Sequence, residues 1–214
     1  MFCGFLTIIY SSTDRFLHAT TAIVIAILLD GLDGRVARKF NATSKFGVEF
    51  DSLSDLVSFG VAPAILIYNW CFQLKADEFG VFICFIYVIC AASRLARFNI
   101  SQEKMSAFQG LPSPAAAGLV ASLVFAFSKV EHTNSLLIFS VLLMLSASYL
   151  MISSITFLSI KKVHLGMLDP KIIVGLAGII WLFWYVPRFS FLALALAYAL
   201  SGPLRLIYNK LKRS

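Results

Sequence analysis

Long apolar runs broken by short polar stretches occupy almost the whole chain. Eight apolar segments stand out, at about 1–12, 16–39, 46–73, 79–99, 112–128, 134–159, 170–187 and 189–209. Most approach the ~20 residues that carry a helix across the hydrocarbon core of a bilayer. The breaks fall on turn-forming chemistry, at Thr13-Asp14, Asn41–Ser44, Lys75–Glu78, Gln109–Pro114, Lys129–Asn134, Leu168–Pro170 and Pro187. The pattern predicts an all-α, polytopic membrane bundle of about eight transmembrane helices, the first one short. It shows no internal repeat or linker, so residues 1–214 are expected to form a single integral-membrane domain.

Composition sharpens this reading. The chain is 59% hydrophobic and 14% charged, against about 25% charged in a soluble domain. The net charge of +7 does not point to nucleic acid, because the basic residues cluster at the ends of apolar runs. Fourteen lysines and arginines follow segments 2, 4 and 6 or lie near the C-terminal end, and four (Arg15, Lys75, Lys129 and Arg188) fall on the opposite side. That bias places the first side, with both chain ends, in the cytoplasm. Cys3, Cys71, Cys84 and Cys90 show no C-x-x-C pairing, and His18, His132 and His164 stand apart. Buried hydrophobes and loop residues are the expected roles. Met1–Ser12 has neither a basic n-region nor a small-residue cleavage site, so it does not read as a signal peptide.

Four carboxylates interrupt the apolar pattern. Asp30 and Asp33 sit near the end of segment 2, and Asp51 and Asp55 near the start of segment 3. Each charges roughly 2.5–3.5 kcal/mol at the centre of a spanning helix. The spacing i, i+3 in one pair and i, i+4 in the other puts each pair on one helix face. A short connection makes the two helices antiparallel neighbours, so the faces can meet. Oxygen ligands from two helices suit one or two hard cations such as Mg²⁺ or Mn²⁺, and two ions there would clamp a diphosphate. Gly34, Ala37 and Gly47 remove bulk where a ligand or a second backbone comes close, and Arg38 is placed for phosphate oxygens. The alternatives are helix packing for the small residues and an ion-pair network of the aspartates with Arg35, Arg38 and Lys39.

The run D-G-L-D-G-R-V-A-R-x8-G-V-E-F-D-S-L-S-D, from Asp30 to Asp55, resembles the CDP-alcohol phosphotransferase family. It matches that family's pattern D-x2-D-G-x2-A-R-x8-G-x3-D-x3-D at all eight fixed residues in 26 positions. Members are polytopic enzymes that displace CMP from a CDP-linked lipid or alcohol with a second alcohol. The resemblance implies metal ligation by Asp30, Asp33, Asp51 and Asp55, with Asp55 also the general base. It implies contact with the CDP moiety for Gly34, Ala37 and Arg38.

Within the family, Ser52 and Leu56 depart from the D-P-x-A-D-K run of the phosphatidylglycerophosphate branch. Phe50–Ala64, Ser93–Asn99, Phe108–Ala117 and Leu150–Ile155 look instead like the phosphatidylserine synthases of bacteria and archaea. The implied substrates are CDP-diacylglycerol and L-serine. Serine's carboxylate needs a cationic partner; Arg94 and Arg97 could supply it or bind a second phosphate, with Asn99 assisting. Their alternative is a snorkelling interfacial anchor. Relatives usually open with a longer first helix preceded by a P-N-x-x-T-like stretch, whereas this sequence opens M-F-C-G-F; the cytidine site is therefore expected to be completed or built differently. A homodimer is the family expectation. Competing functions are another acceptor (glycerol phosphate, inositol phosphate or an amino alcohol) and a cation transporter using the aspartates.

Overall fold

The structure is a computed structural model that describes residues 1–39, 44–73, 76–101, 110–130, 133–155, 157 and 187–212. These are overwhelmingly helical and contain no strand. Helix α1 runs Phe2–Ser12 and α2 runs Phe16–Lys39. The next rod, α3, spans 45–72 as Lys45–Asp55, a π turn Leu56–Val61, Ala62–Ile67 and a second π turn Tyr68–Phe72. Then follow α4 (Asp77–Ser101), α5 (Ser113–Phe127), α6 (Asn134–Ile152) and α7 (Pro187–Leu211).

Five of these helices are long and apolar enough to cross a membrane, and Phe2–Ser12 and Ser113–Phe127 are shorter apolar helices. The chain is a multi-pass membrane protein. Seven of the eight predicted segments have a helical counterpart, and the predicted segment 170–187 falls almost wholly outside the described residues.

Local chemistry sets the ends. Asp14 takes a left-handed conformation (φ 57°) between α1 and α2, one that aspartate tolerates better than most residues. The Ser44 hydroxyl caps α3 by accepting the Gly47 N–H at 3.0 Å, and Thr133 caps α6 by accepting from Leu136. Asp77 and Glu78 stand in the first turn of α4, where the helix dipole favours negative charge. Pro112 and Pro114 bracket the start of α5, where a missing N–H costs nothing.

The predicted end of segment 6 needs correction: α6 stops at Ile152, not at 159. Ser153 turns extended (ψ 153°), and the Gly110 and Leu111 N–H groups bond the carbonyls of Ile155 and Leu150, both at 2.9 Å. The apolar run continues through Ile155 and Phe157, but the backbone leaves the helix to pair with the loop ahead of α5.

Helix α5 lies at the centre. Ala116, Ala117, Val120, Leu123 and Val124 have no exposed surface, and α2, α3, α6 and α7 pack around it. A helix apolar on every side is stable only when wrapped in this way. Large side chains of α2, α4, α6 and α7, among them Leu28, Phe85, Leu142 and Leu204, face outward, as lipid requires. Pro63 has no N–H for the carbonyl four residues back, that of Phe59. The buried Tyr87 hydroxyl of α4 donates to that carbonyl at 3.1 Å, tying α4 to α3 at the π turn.

Candidate functional site

The last turns of α2 and the first turns of α3 present their carboxylates to one another. Carboxylate oxygens of Asp30, Asp51 and Asp55 all lie within 4.8 Å of each other. Asp30 and Asp55 are half-buried and Asp51 is exposed. Asp33, one turn further along α2, is exposed and lines the same cleft without joining the trio. The cleft encloses about 420 Å³ and is walled by the start of α1, by α2 and by α3.

Such a cluster is costly by itself. Two like charges at that separation repel by about 3–4 kcal/mol at an effective dielectric of ~20. The donor set is oxygen throughout, with no thiolate or imidazole, and oxygen donors on two helices fit a hard divalent cation of the Mg²⁺ class. The residues present therefore suit the metal that the resemblance implies. Sequence reasoning put four ligands in this cage; the geometry brings three together and leaves Asp33 at the rim, reaching Asp30 and Asp51 through its charge.

The other predicted residues divide. Gly47 lines the cleft, and among the described residues a side chain there would meet the Ser44 hydroxyl, at 3.2 Å. Gly34, Ala37 and Arg38 continue the backbone of α2, and their side chains lie outside the described ones, as do those of Arg35 and Lys39. Arg94 couples electrostatically to Asp55 across the α3–α4 boundary. Its Nη1 donates to the Ser113 hydroxyl at 3.2 Å, while its buried Nε has no partner among the described residues. Arg97 donates to the Ile152 carbonyl at 3.0 Å, where α6 ends. Asn99 accepts from the Ser52 hydroxyl at 3.1 Å and donates to Glu49 at 3.4 Å. Asn99 thus ties α4 to the aspartate-bearing turns of α3, and Arg97 ties it to α6.

Sequence reasoning missed those partners. Glu49 and Ser52 sit inside the matched motif at variable positions, and Ser113 sits in the run Phe108–Ala117. Their shared polarity at one end of the bundle was the available signal. The matched runs Ser93–Asn99, Phe108–Ala117 and Leu150–Ile155 meet beside the cleft through Arg94, Arg97 and the Gly110 loop.

Comparison with known proteins follows the same outline. A profile of the CDP-alcohol phosphatidyltransferase family matches residues 1–157. The chain is 42% identical over 168 residues to the CDP-diacylglycerol–serine O-phosphatidyltransferase of Helicobacter pylori strain ATCC 700392 / 26695, covering 76% of this chain and 70% of that protein. It is 37% identical over 203 residues to the Methanocaldococcus jannaschii protein of the same name, covering 94% and 90%. It is 36% identical over 156 residues to the archaetidylserine synthase of Methanothermobacter thermautotrophicus, covering 72% and 64%. With the motif intact and its carboxylates gathered on two adjoining helix ends, the chain belongs to the CDP-alcohol phosphatidyltransferase family.

Proposed function

We propose that this chain is a CDP-diacylglycerol–serine O-phosphatidyltransferase, converting CDP-diacylglycerol and L-serine into phosphatidylserine and CMP. The observation that carries the reading is the convergence of Asp30, Asp51 and Asp55 within 4.8 Å at the mouth of a membrane-embedded cleft. The names borne by its relatives favour serine as acceptor.

Asp30, Asp33, Asp51 and Asp55 hold one or, as we infer, two Mg²⁺ or Mn²⁺ ions. An ion bound there would supply positive charge against the diphosphate oxygens. Gly34, Ala37, Arg38 and Gly47 seat the cytidine diphosphate end of the donor. Asp55 accepts the proton of the serine hydroxyl. The serine oxygen bonds to the lipid-side phosphorus as the bond from that phosphorus to the CMP oxygen breaks in line. Arg94 orients serine through its carboxylate, while Arg97 and Asn99 support it by holding α4 against the end of α6 and the first turns of α3. Asp55 works by position as much as by basicity, since a general base must first lie within hydrogen-bond reach of its proton.

In this reading residues 1–214 act as one integral-membrane domain in the cell's inner membrane. The cleft faces the cytoplasm, where serine and CMP are soluble, and the protein works as a homodimer. The test is CMP release from CDP-diacylglycerol with and without L-serine, in Mg²⁺ or Mn²⁺, repeated for Asp55→Asn. Serine-dependent release that the substitution abolishes is expected. Release driven equally by glycerol phosphate, inositol phosphate or ethanolamine would reject the acceptor, and unchanged turnover in the variant would reject the mechanism. Metal flux without CMP release would favour a transporter.

A further inference from the structure

The rod α3 is held very differently on the two sides of Asp55. From the π turn Leu56–Val61 onward it is locked in the bundle: Ser58, Phe59 and Gly60 are buried, and α1, α4 and α5 pack on the turn. Ahead of it, the described side chains between residues 44 and 55 are all exposed or half-buried. Among the described residues, α4 is the helix on which Lys45–Asp55 chiefly packs. Asp55 stands at the root of this projecting segment, and Asp51 stands one turn out along it. Asp51 is thus the member of the trio whose place depends most on what steadies the projection.

Asn99, in the last turn of α4, reaches that segment. Its amide donates to Glu49 at 3.4 Å and accepts from the Ser52 hydroxyl at 3.1 Å. Ionised Glu49 can only accept, so it fixes which way the amide faces and leaves the amide oxygen for Ser52. Glu49 and Ser52 lie three residues apart on one face of α3, and Asp51 falls between them in sequence. Two anchors about one turn apart fix the roll of a helix as well as its distance. Roll matters here because side-chain tips lie about 5–6 Å from a helix axis, so a rotation of ~20° moves a carboxylate by about 2 Å. That is as long as a bond to a Mg²⁺-class ion, whose coordination tolerates little error. Without Asn99 the Ser52 hydroxyl still has the Val48 carbonyl of its own helix, at 3.2 Å, but both ties to the Asn99 amide are gone.

We propose that Asn99 is a positioning residue for the cation site: bridging Glu49 and Ser52, it sets the roll of the first turns of α3 and keeps Asp51 in register with Asp30 and Asp55. This rests on the cation role given to the aspartates under Proposed function, not on the choice of acceptor. The test is Mn²⁺ binding to the intact chain in zwitterionic nanodiscs, read from the free-ion EPR signal without lipid donor or serine. Asn99→Ala is expected to bind about 3–10-fold more weakly than wild type, the range of one neutral hydrogen bond. Glu49→Gln combined with Asn99→Asp keeps the net charge and exchanges donor for acceptor, so it should restore affinity to within about twofold. In an Asp51→Asn background, adding Asn99→Ala should change affinity by less than about twofold, because both residues act through one ligand. Unchanged affinity in Asn99→Ala overturns the proposal. So does a swapped pair that binds no better than Asn99→Ala, or a full loss that persists in the Asp51→Asn background. Wild type that binds no Mn²⁺ beyond empty nanodiscs rejects the cation reading itself, whereas wild-type binding with an indifferent Asn99→Ala rejects only the role of Asn99.

Discussion

Two polar clusters share one end of this bundle and use their charges in opposite ways. In the first, Asp30, Asp51 and Asp55 crowd three carboxylates within 4.8 Å around an open cleft. In the second, Arg97 bonds a helix-end carbonyl and the Gly110 loop bonds two more. The first cluster stores repulsion that a bound cation would relieve. The second satisfies backbone groups that would otherwise be orphaned where α6 stops and α5 begins. Arg94 belongs to both, holding Ser113 with one arm while facing Asp55. One cluster is therefore built for ligand and the other for shape, and substitutions should separate them.

The largest effect is expected at the first cluster. Asp55→Asn should lower kcat for CMP release roughly 10³-fold, within the range for a lost general base, with melting temperature unchanged or raised. A variant that unfolds instead would move Asp55 into the structural cluster and erase the contrast. Next comes Gly110, which adopts φ +80° and would place a Cβ 2.4 Å from the Met151 carbonyl oxygen. Gly110→Ala should cost on the order of 2 kcal/mol of stability, from the left-handed backbone and the clash, read by thermal unfolding. Activity of the protein that remains folded should keep its KM for CDP-diacylglycerol.

Arg94 tests the link between the clusters. Arg94→Lys keeps the charge and loses the planar fork, so KM for serine should rise roughly 10-fold, about one charge-assisted hydrogen bond. KM for the lipid donor should stay within twofold. A rise in the donor KM instead would assign Arg94 to the diphosphate. The smallest effect has the opposite sign. In chelator, Asp51→Asn should raise thermal stability by up to about 1 kcal/mol, since Asp51 is exposed and solvent screens most of the repulsion. Loss of stability under those conditions would mean that the aspartates are held by protein partners, not poised for a cation.

Much of this was legible beforehand, for particular reasons. The start of α2 was readable because Thr13-Asp14 punctuates the apolar pattern there. The aspartate cage was readable because helical periodicity fixes which residues share a face, and a short connection forces α2 and α3 to be neighbours. The end of α6 was not, because Ile155 and Phe157 keep the hydropathy high while the backbone has already left the helix to meet Gly110. The position of Asp33 at the rim was not readable, because spacing alone does not say how far round the helix, or how near its end, a side chain finishes. The roles of Arg97 and Asn99 were left open because a basic residue at a helix end serves lipid, ligand or backbone equally well in one dimension.

Composition and periodicity determined that this chain crosses a membrane repeatedly as helices, and the order and spacing of its acidic residues determined the chemistry those helices carry. Both follow from local rules, the cost of charge and of unpaired backbone in lipid and the 3.6-residue turn. Only the tertiary structure decided which three carboxylates meet, that Tyr87 replaces the hydrogen bond Pro63 cannot give, and that Gly4 of α1 packs against Ser58 of the π turn. These depend on contacts between residues tens of positions apart, set by how rods pack and where a π turn shifts their register, and no local rule carries that information.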